Sequence, residues 1–226
     1  MRDLGGEAND AVTAERSRIA SEGWGAQLLD RQRPDGKWSD GTSDPQWAST
    51  LHTLLLLRVM GLDPGSARTR AMVRVVRDRV TWGPEFGDSP FFEGEVEPCI
   101  NGGTLALGSY FGESSDRLVD RLLGEQLKDG GWNCEAERGS VRSSFHTTIC
   151  VLEGLLEYEK ANGANAAVTT ARGRAHEYLL GTSHVPEAIN RKGDRSQLDE
   201  VLLSDDMALR RAEGPGLPAR RRRRAR

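Results

Sequence analysis

Residues 122–159 read "LLGEQLKDGGWNCEAERGSVRSSFHTTICVLEGLLEYE". A helical run ends near Gln126, an Asp-Gly-Gly-Trp loop follows at 129–132, and a second apolar helix begins at Phe145. Residues 28–63, "LLDRQRPDGKWSDGTSDPQWASTLHTLLLLRVMGLD", repeat the message without a gap. Gln32, Asp35, Gly36 and Trp38 fall on Gln126, Asp129, Gly130 and Trp132. In each copy 14 residues lead from the Trp to a His-Thr pair, His52-Thr53 and His146-Thr147. The chain therefore contains an internal repeat whose unit is a helical hairpin.

The periodicity is helical along the rest of the chain as well. Phe145, Ile149, Leu152 and Leu156 form one stripe, which Val151, Leu155 and Tyr158 widen. A stripe that wide predicts a helix touched on several sides, and Leu54 to Leu57 predict another. "SDRLVDRLLGEQ" is one-sided by contrast, with Ser114, Ser115 and Asp116 as candidate N-caps. Enclosed and amphipathic helices thus alternate: outer 13–31, inner 47–60, outer 65–80, inner 98–111, outer 115–127, inner 143–160 and outer 165–180. No strand is predicted. Trp82 marks a weaker third copy, 44 residues after Trp38 and 50 before Trp132. Hairpins recurring at that interval imply a ring or solenoid.

Gln-x-x-Asp-Gly-x-Trp between an outer and an inner helix resembles the Gln-Trp repeat of squalene–hopene cyclases and protein prenyltransferases. The wording "VTWGPEFG", "FFEGEVEPCING" and "GGWNCE" looks most like small bacterial squalene-cyclase-like proteins. The resemblance covers about residues 15–180. It implies an all-α fold, a partial α/α toroid whose inner helices surround an apolar cavity. It also implies a structural role for Gln32, Trp38, Gln126 and Trp132, with Gln capping a helix end and Trp stacking on it. Both copies depart from the family pattern: the aromatic expected five residues before the Gln is Gln27 in one and Arg121 in the other. The Asp-rich acid motif of the squalene cyclases is also missing, which argues against cyclisation started by protonation.

Prenyltransferases hold Zn²⁺ with Asp-x-Cys at the head of one inner helix and a His at the head of the next. The resemblance puts Glu97, Cys99 and His146 in those places as a candidate zinc set with an open fourth position. Core packing of Cys99 and Cys150 is the competing reading. Cys134 is a conceivable extra ligand, although a loop thiol beside Trp132 is its more ordinary role. His52, Trp82, Phe91, Phe92, Asn101 and Glu153 are candidate cavity-lining residues; Asn101 aligns with His52 and His146. Glu93, Glu95 and Glu135 are further acids near the expected mouth, and no catalytic residue is assigned. The functional expectation is a terpene-cyclase or prenyltransferase-like protein for an isoprenoid-type substrate. The alternatives are a non-catalytic toroid for a hydrophobic ligand or partner protein, and an inactive fragment.

The 226 residues carry a net charge of -3, with 37% hydrophobic and 29% charged side chains, which fits a globular domain with a real core. Three widely spaced Cys point to a reducing compartment rather than a disulfide framework. With no signal-like N-terminus and no apolar run of membrane-spanning length, the expected location is the cytoplasm. The last 20 residues hold eight Arg against Glu213, a local +7. That run invites nucleic-acid contact, but another reading takes precedence. Leu198–Ala219 can be back-translated so that a one-base shift encodes "WTKFSYPTTWHYDVLRALDYLR", an inner-helix pattern. The expected division is a disordered segment 1–12, a repeat domain 13–182, and an out-of-frame basic tail 183–226, with no nucleic-acid partner. A ring short of one hairpin would expose apolar edges and self-associate.

Overall fold

The computed structural model describes residues 9–42 and 48–182. The tail assigned to 183–226, with its reading-frame interpretation, lies outside the described residues, as do residues 1–8. The described chain is all-α: α1 (Asn9–Ile19), α2 (Gly23–Asp30), α3 (Thr50–Met60), α4 (Ala67–Arg79), α5 (Pro98–Phe111), α6 (Asp116–Gly124), α7 (Phe145–Asn162) and α8 (Ala166–Thr182). Short 3-10 turns occupy Pro84–Phe86, Phe91–Glu93 and Cys134–Arg138.

Serine side chains start four of the helices. Ser49, Ser66, Ser115 and Ser144 accept from the backbone N–H groups of His52, Thr69, Leu118 and Thr147, which would otherwise lack partners. Gly61 and Gly112 close α3 and α5 in the left-handed conformation. One expected outer helix, 13–31, is two. Gly23 lies at φ 62°, and a Cβ on Gly25 would come within 2.5 Å of the Ile19 carbonyl oxygen, so the chain turns sharply between α1 and α2. Residues 9–12, expected to be disordered, belong to α1.

The two repeat loops are built by the same bonds. Trp38 Nε1 donates to the Leu28 carbonyl at 2.7 Å, and Trp132 Nε1 donates to the Leu122 carbonyl at 2.7 Å. Each indole thus caps a carbonyl of the helix before its loop. Gln32 Nε2 donates to Gly36 and Met72 carbonyls at 3.2 Å each; Gln126 Nε2 donates to Gly130 and Ala171 carbonyls at 2.8 Å each. One amide therefore ties its own loop to the helix of the following hairpin, α4 or α8. Gly36 and Gly130 have positive φ, and a Cβ on either would strike the Val75 or Arg174 carbonyl, so only glycine brings loop and helix this close. The third copy differs: Trp82 Nε1 donates to Phe91 O within its own loop, at 2.8 Å, and the two rings stack.

α3, α5 and α7 run in the same direction with their heads together. Cys134 Sγ lies 3.1 Å from Cys99 Sγ near the start of α5 and 3.5 Å from Thr147 Oγ1 near the start of α7. Further along, Arg58 of α3 pairs with Glu153 and Glu157 of α7. α5 is the hub, contributing Leu107 and Phe111 to a core shared with α2, α3 and α4, and Leu105 to one shared with α6, α7 and α8.

The first turns of α7 depart from the expected stripe. Phe145 and Ile149 are 50% and 53% exposed and Thr147 and Thr148 are buried in their place, whereas Val151, Leu152, Leu155 and Tyr158 are buried as expected. Gly102 and Gly154 are the cause: a Cβ on Gly102 would sit 2.4 Å from Cys150 O, and one on Gly154 would sit 2.4 Å from Gly102 O. Backbone meets backbone here, and this close crossing sets which side of α7 faces α5.

Candidate functional site

The heads of the three parallel helices line a solvent-open cavity of about 400 Å³. α3 supplies Leu51, His52 and Leu55; α5 supplies Ile100 and Gly103, with Cys99 and Glu97 at its head; α7 supplies His146, Cys150 and Glu153. Leu51, Leu55 and Ile100 give the wall its apolar side chains, and His52, Glu97, Cys99, His146, Cys150 and Glu153 its polar ones. Each helix presents residues three or four apart, the spacing that keeps them on one face.

Glu97 and Cys99 are held in place by a buried polar knot. Asn101 accepts from the Glu95 N–H at 2.8 Å and donates to the Glu95 carbonyl at 2.9 Å. Arg121, five residues before Gln126, donates to the Glu95 and Val96 carbonyls. The Glu95 carboxylate, 2% exposed, turns back to accept from the N–H groups of Val96 and Glu97. Burial pushes the Glu95 carboxyl above its ordinary pKa, against the pull of those two N–H groups.

The thiols form a chain. Cys99 and Cys134 meet at 3.1 Å, and Cys99 Sγ also lies 3.7 Å from Glu97 Oε2. Their shared hydrogen bond pulls the two thiols apart in acidity: it lowers Cys134 to about 7 and, together with burial, raises Cys99. One atom each of Glu97, Cys99 and Cys134 lies within 4.8 Å of the others, a grouping able to hold a metal ion. On α7, Cys150 Sγ lies 3.9 Å from His146 Nε2 one turn away, and burial raises the Cys150 thiol.

The structure thus redistributes the expected residues. Glu97, Cys99, His146, His52 and Glu153 all reach the cavity wall. Within it Cys99 and Glu97 group with Cys134, while His146 pairs with Cys150. Glu153 bonds Arg58 at 2.7 Å, and His52 Nδ1 lies 2.9 Å from its own N-cap, Ser49 Oγ. Trp82, Phe91, Phe92 and Asn101 do not line the cavity, which corrects the expectation for them. The three aromatics stack and cross within the core beside α4, and Asn101 is consumed by the Glu95 main chain. Asn101 is therefore no counterpart of His52 and His146; the α5 residues facing the cavity are Cys99, Ile100 and Gly103. Glu93 accepts from Ser115, and Glu135 pairs with Arg138 in the Cys134–Arg138 turn. Cys150 joins the wall through a signal legible beforehand, its four-residue step from His146. Cys134 comes from a loop whose path the spacing did not give.

No family model, curated protein or solved structure matches this chain.

Proposed function

We propose that the cavity binds an uncharged molecule of the isoprenoid class, and that α3, α5 and α7 form part of the inner wall of an α/α toroid. The observation that carries this reading is the composition of the wall. Leu51, Leu55 and Ile100 offer an apolar surface to a hydrocarbon chain, and the polar side chains beside them can orient it. Among the described residues, the charged side chains of the lining are Glu97 and Glu153, the latter paired with Arg58, and no Lys or Arg lines it. Carboxylates repel a diphosphate, so an alcohol or hydrocarbon fits better than a prenyl diphosphate.

Displacement of a neutral fluorescent naphthylamine by isoprenoid alcohols tests the reading. In reductant and chelator, a fifteen-carbon alcohol should displace the probe and its diphosphate should compete at least about tenfold less well, a difference of about 1.4 kcal/mol. Leu55→Asp should abolish displacement without unfolding the chain, because Leu55 is only partly buried. Equal competition by alcohol and diphosphate, or unchanged binding in Leu55→Asp, would refute it.

A further inference from the structure

We propose that Glu97, Cys99 and Cys134 form a binding site for a thiophilic divalent cation of the zinc class, and that His146 is not one of its ligands. The proposal rests on that same cavity but does not need an isoprenoid to occupy it. Three donors of the right kind converge: two sulfurs and one carboxylate oxygen, all within 4.8 Å of one another. Zinc binds sulfur at about 2.3 Å and carboxylate oxygen at about 2.0–2.2 Å, so a shared centre needs only small adjustments of these side chains.

The donors come from two separate parts of the chain, and the main chain at each is anchored by its own hydrogen bonds. Glu97 and Cys99 sit at the head of α5, where Asn101 and Arg121 clamp the preceding main chain. Cys134 opens the 3-10 turn that follows the Trp132 loop. Asn133 anchors that turn by accepting from the Glu135 N–H at 2.9 Å and donating to the Arg142 carbonyl at 2.7 Å. Thr147 of α7 lies 3.5 Å from Cys134 Sγ and can orient the sulfur, as groups around a metal orient its ligands. All three cysteines are free, so neither sulfur is committed to a disulfide. Glu97 and Cys99 also belong to the cavity wall, so a fourth position on the ion would open into the cavity. His146 stands apart, paired with Cys150 along its own helix.

Cobalt(II) titration of the full chain, reduced and freed of metal, provides the test. Thiol counting should first return three free thiols per chain. One equivalent of cobalt should then give thiolate-to-cobalt absorption in the near ultraviolet and tetrahedral bands in the visible, and zinc should bleach both. Cys99→Ser and Cys134→Ser should each lose the tetrahedral bands while keeping the helical circular dichroism of the parent. Glu97→Gln should raise the cobalt concentration at half-saturation by about tenfold or more, the scale on which changes around a metal alter its affinity. His146→Ala and Cys150→Ser should keep bands and stoichiometry. The proposal is overturned if the fully reduced chain gives no tetrahedral bands, or if His146→Ala removes them as completely as Cys134→Ser. It is also overturned if Cys134→Ser, still helical, keeps them. None of these readouts involves an apolar ligand, so this proposal and the isoprenoid reading can fail separately.

Discussion

Trp38 and Trp132 donate the same hydrogen bond from different depths. Trp132 has no exposed surface, whereas Trp38 is only partly buried at the edge of its core. Trp132→Ala should therefore lower stability by about 3–5 kcal/mol through cavity formation and an orphaned Leu122 carbonyl, and Trp38→Ala by clearly less. Denaturant unfolding of the two variants checks the order. Asp129, the repeat's own Asp, makes a pH-dependent contribution. Burial works to raise its pKa, but the Ser143 hydroxyl and N–H hold it below the usual carboxylate value. A depressed carboxylate stabilises the fold above its unfolded-state pKa, and that gain is lost as pH falls through the folded-state value. Asp129→Asn should thus lower the melting temperature at neutral pH, modestly because Asp129 is exposed, and the deficit should shrink on acidification. A deficit that stayed constant with pH would assign the effect to shape rather than charge.

At the scale of elements, the α5–α7 crossing is the most sensitive joint. A methyl on Gly102 meets main-chain atoms of Cys150, which cannot swing aside, so Gly102→Ala should cost about 1–3 kcal/mol by overpacking. Gly103, one residue on, faces the cavity, and its nearest atom is a Leu55 methyl at 3.9 Å. Gly103→Ala should be neutral or stabilising by up to about 1 kcal/mol, since Ala is the better helix former. Comparing the two melting temperatures separates the crossing from general helix propensity. This joint also shows where sequence reading stopped. The Gln-Trp loops and the Ser115 cap were legible because each rests on contacts within a few residues or on a repeated spacing. The face of α7 was not, because hydrophobicity favoured Phe145 and Ile149 while two glycines decided the contact. The Asn101 alignment failed for a similar reason: its side chain satisfies main-chain groups of a loop whose course no periodicity describes. Arg121 looked like a defect in the repeat, yet it holds the turn that presents Glu97 and Cys99.

Across the described residues, two repeat hairpins flank α5, and α5 shares a core with each. No helix among them is long and apolar enough to cross a membrane. The shared heads of α3, α5 and α7 leave one cavity wall to which both copies contribute, His52 from the first and His146 from the second. A function that uses the repeat should therefore be read at that wall, where Cys99 and Cys150 serve as built-in reporters from α5 and α7. The most direct measurement is site-resolved alkylation of these two thiols, followed by mass spectrometry, with and without a saturating fifteen-carbon isoprenoid alcohol. The account predicts that the alcohol slows modification of both Cys99 and Cys150. Unchanged rates at both thiols under saturating alcohol would contradict it.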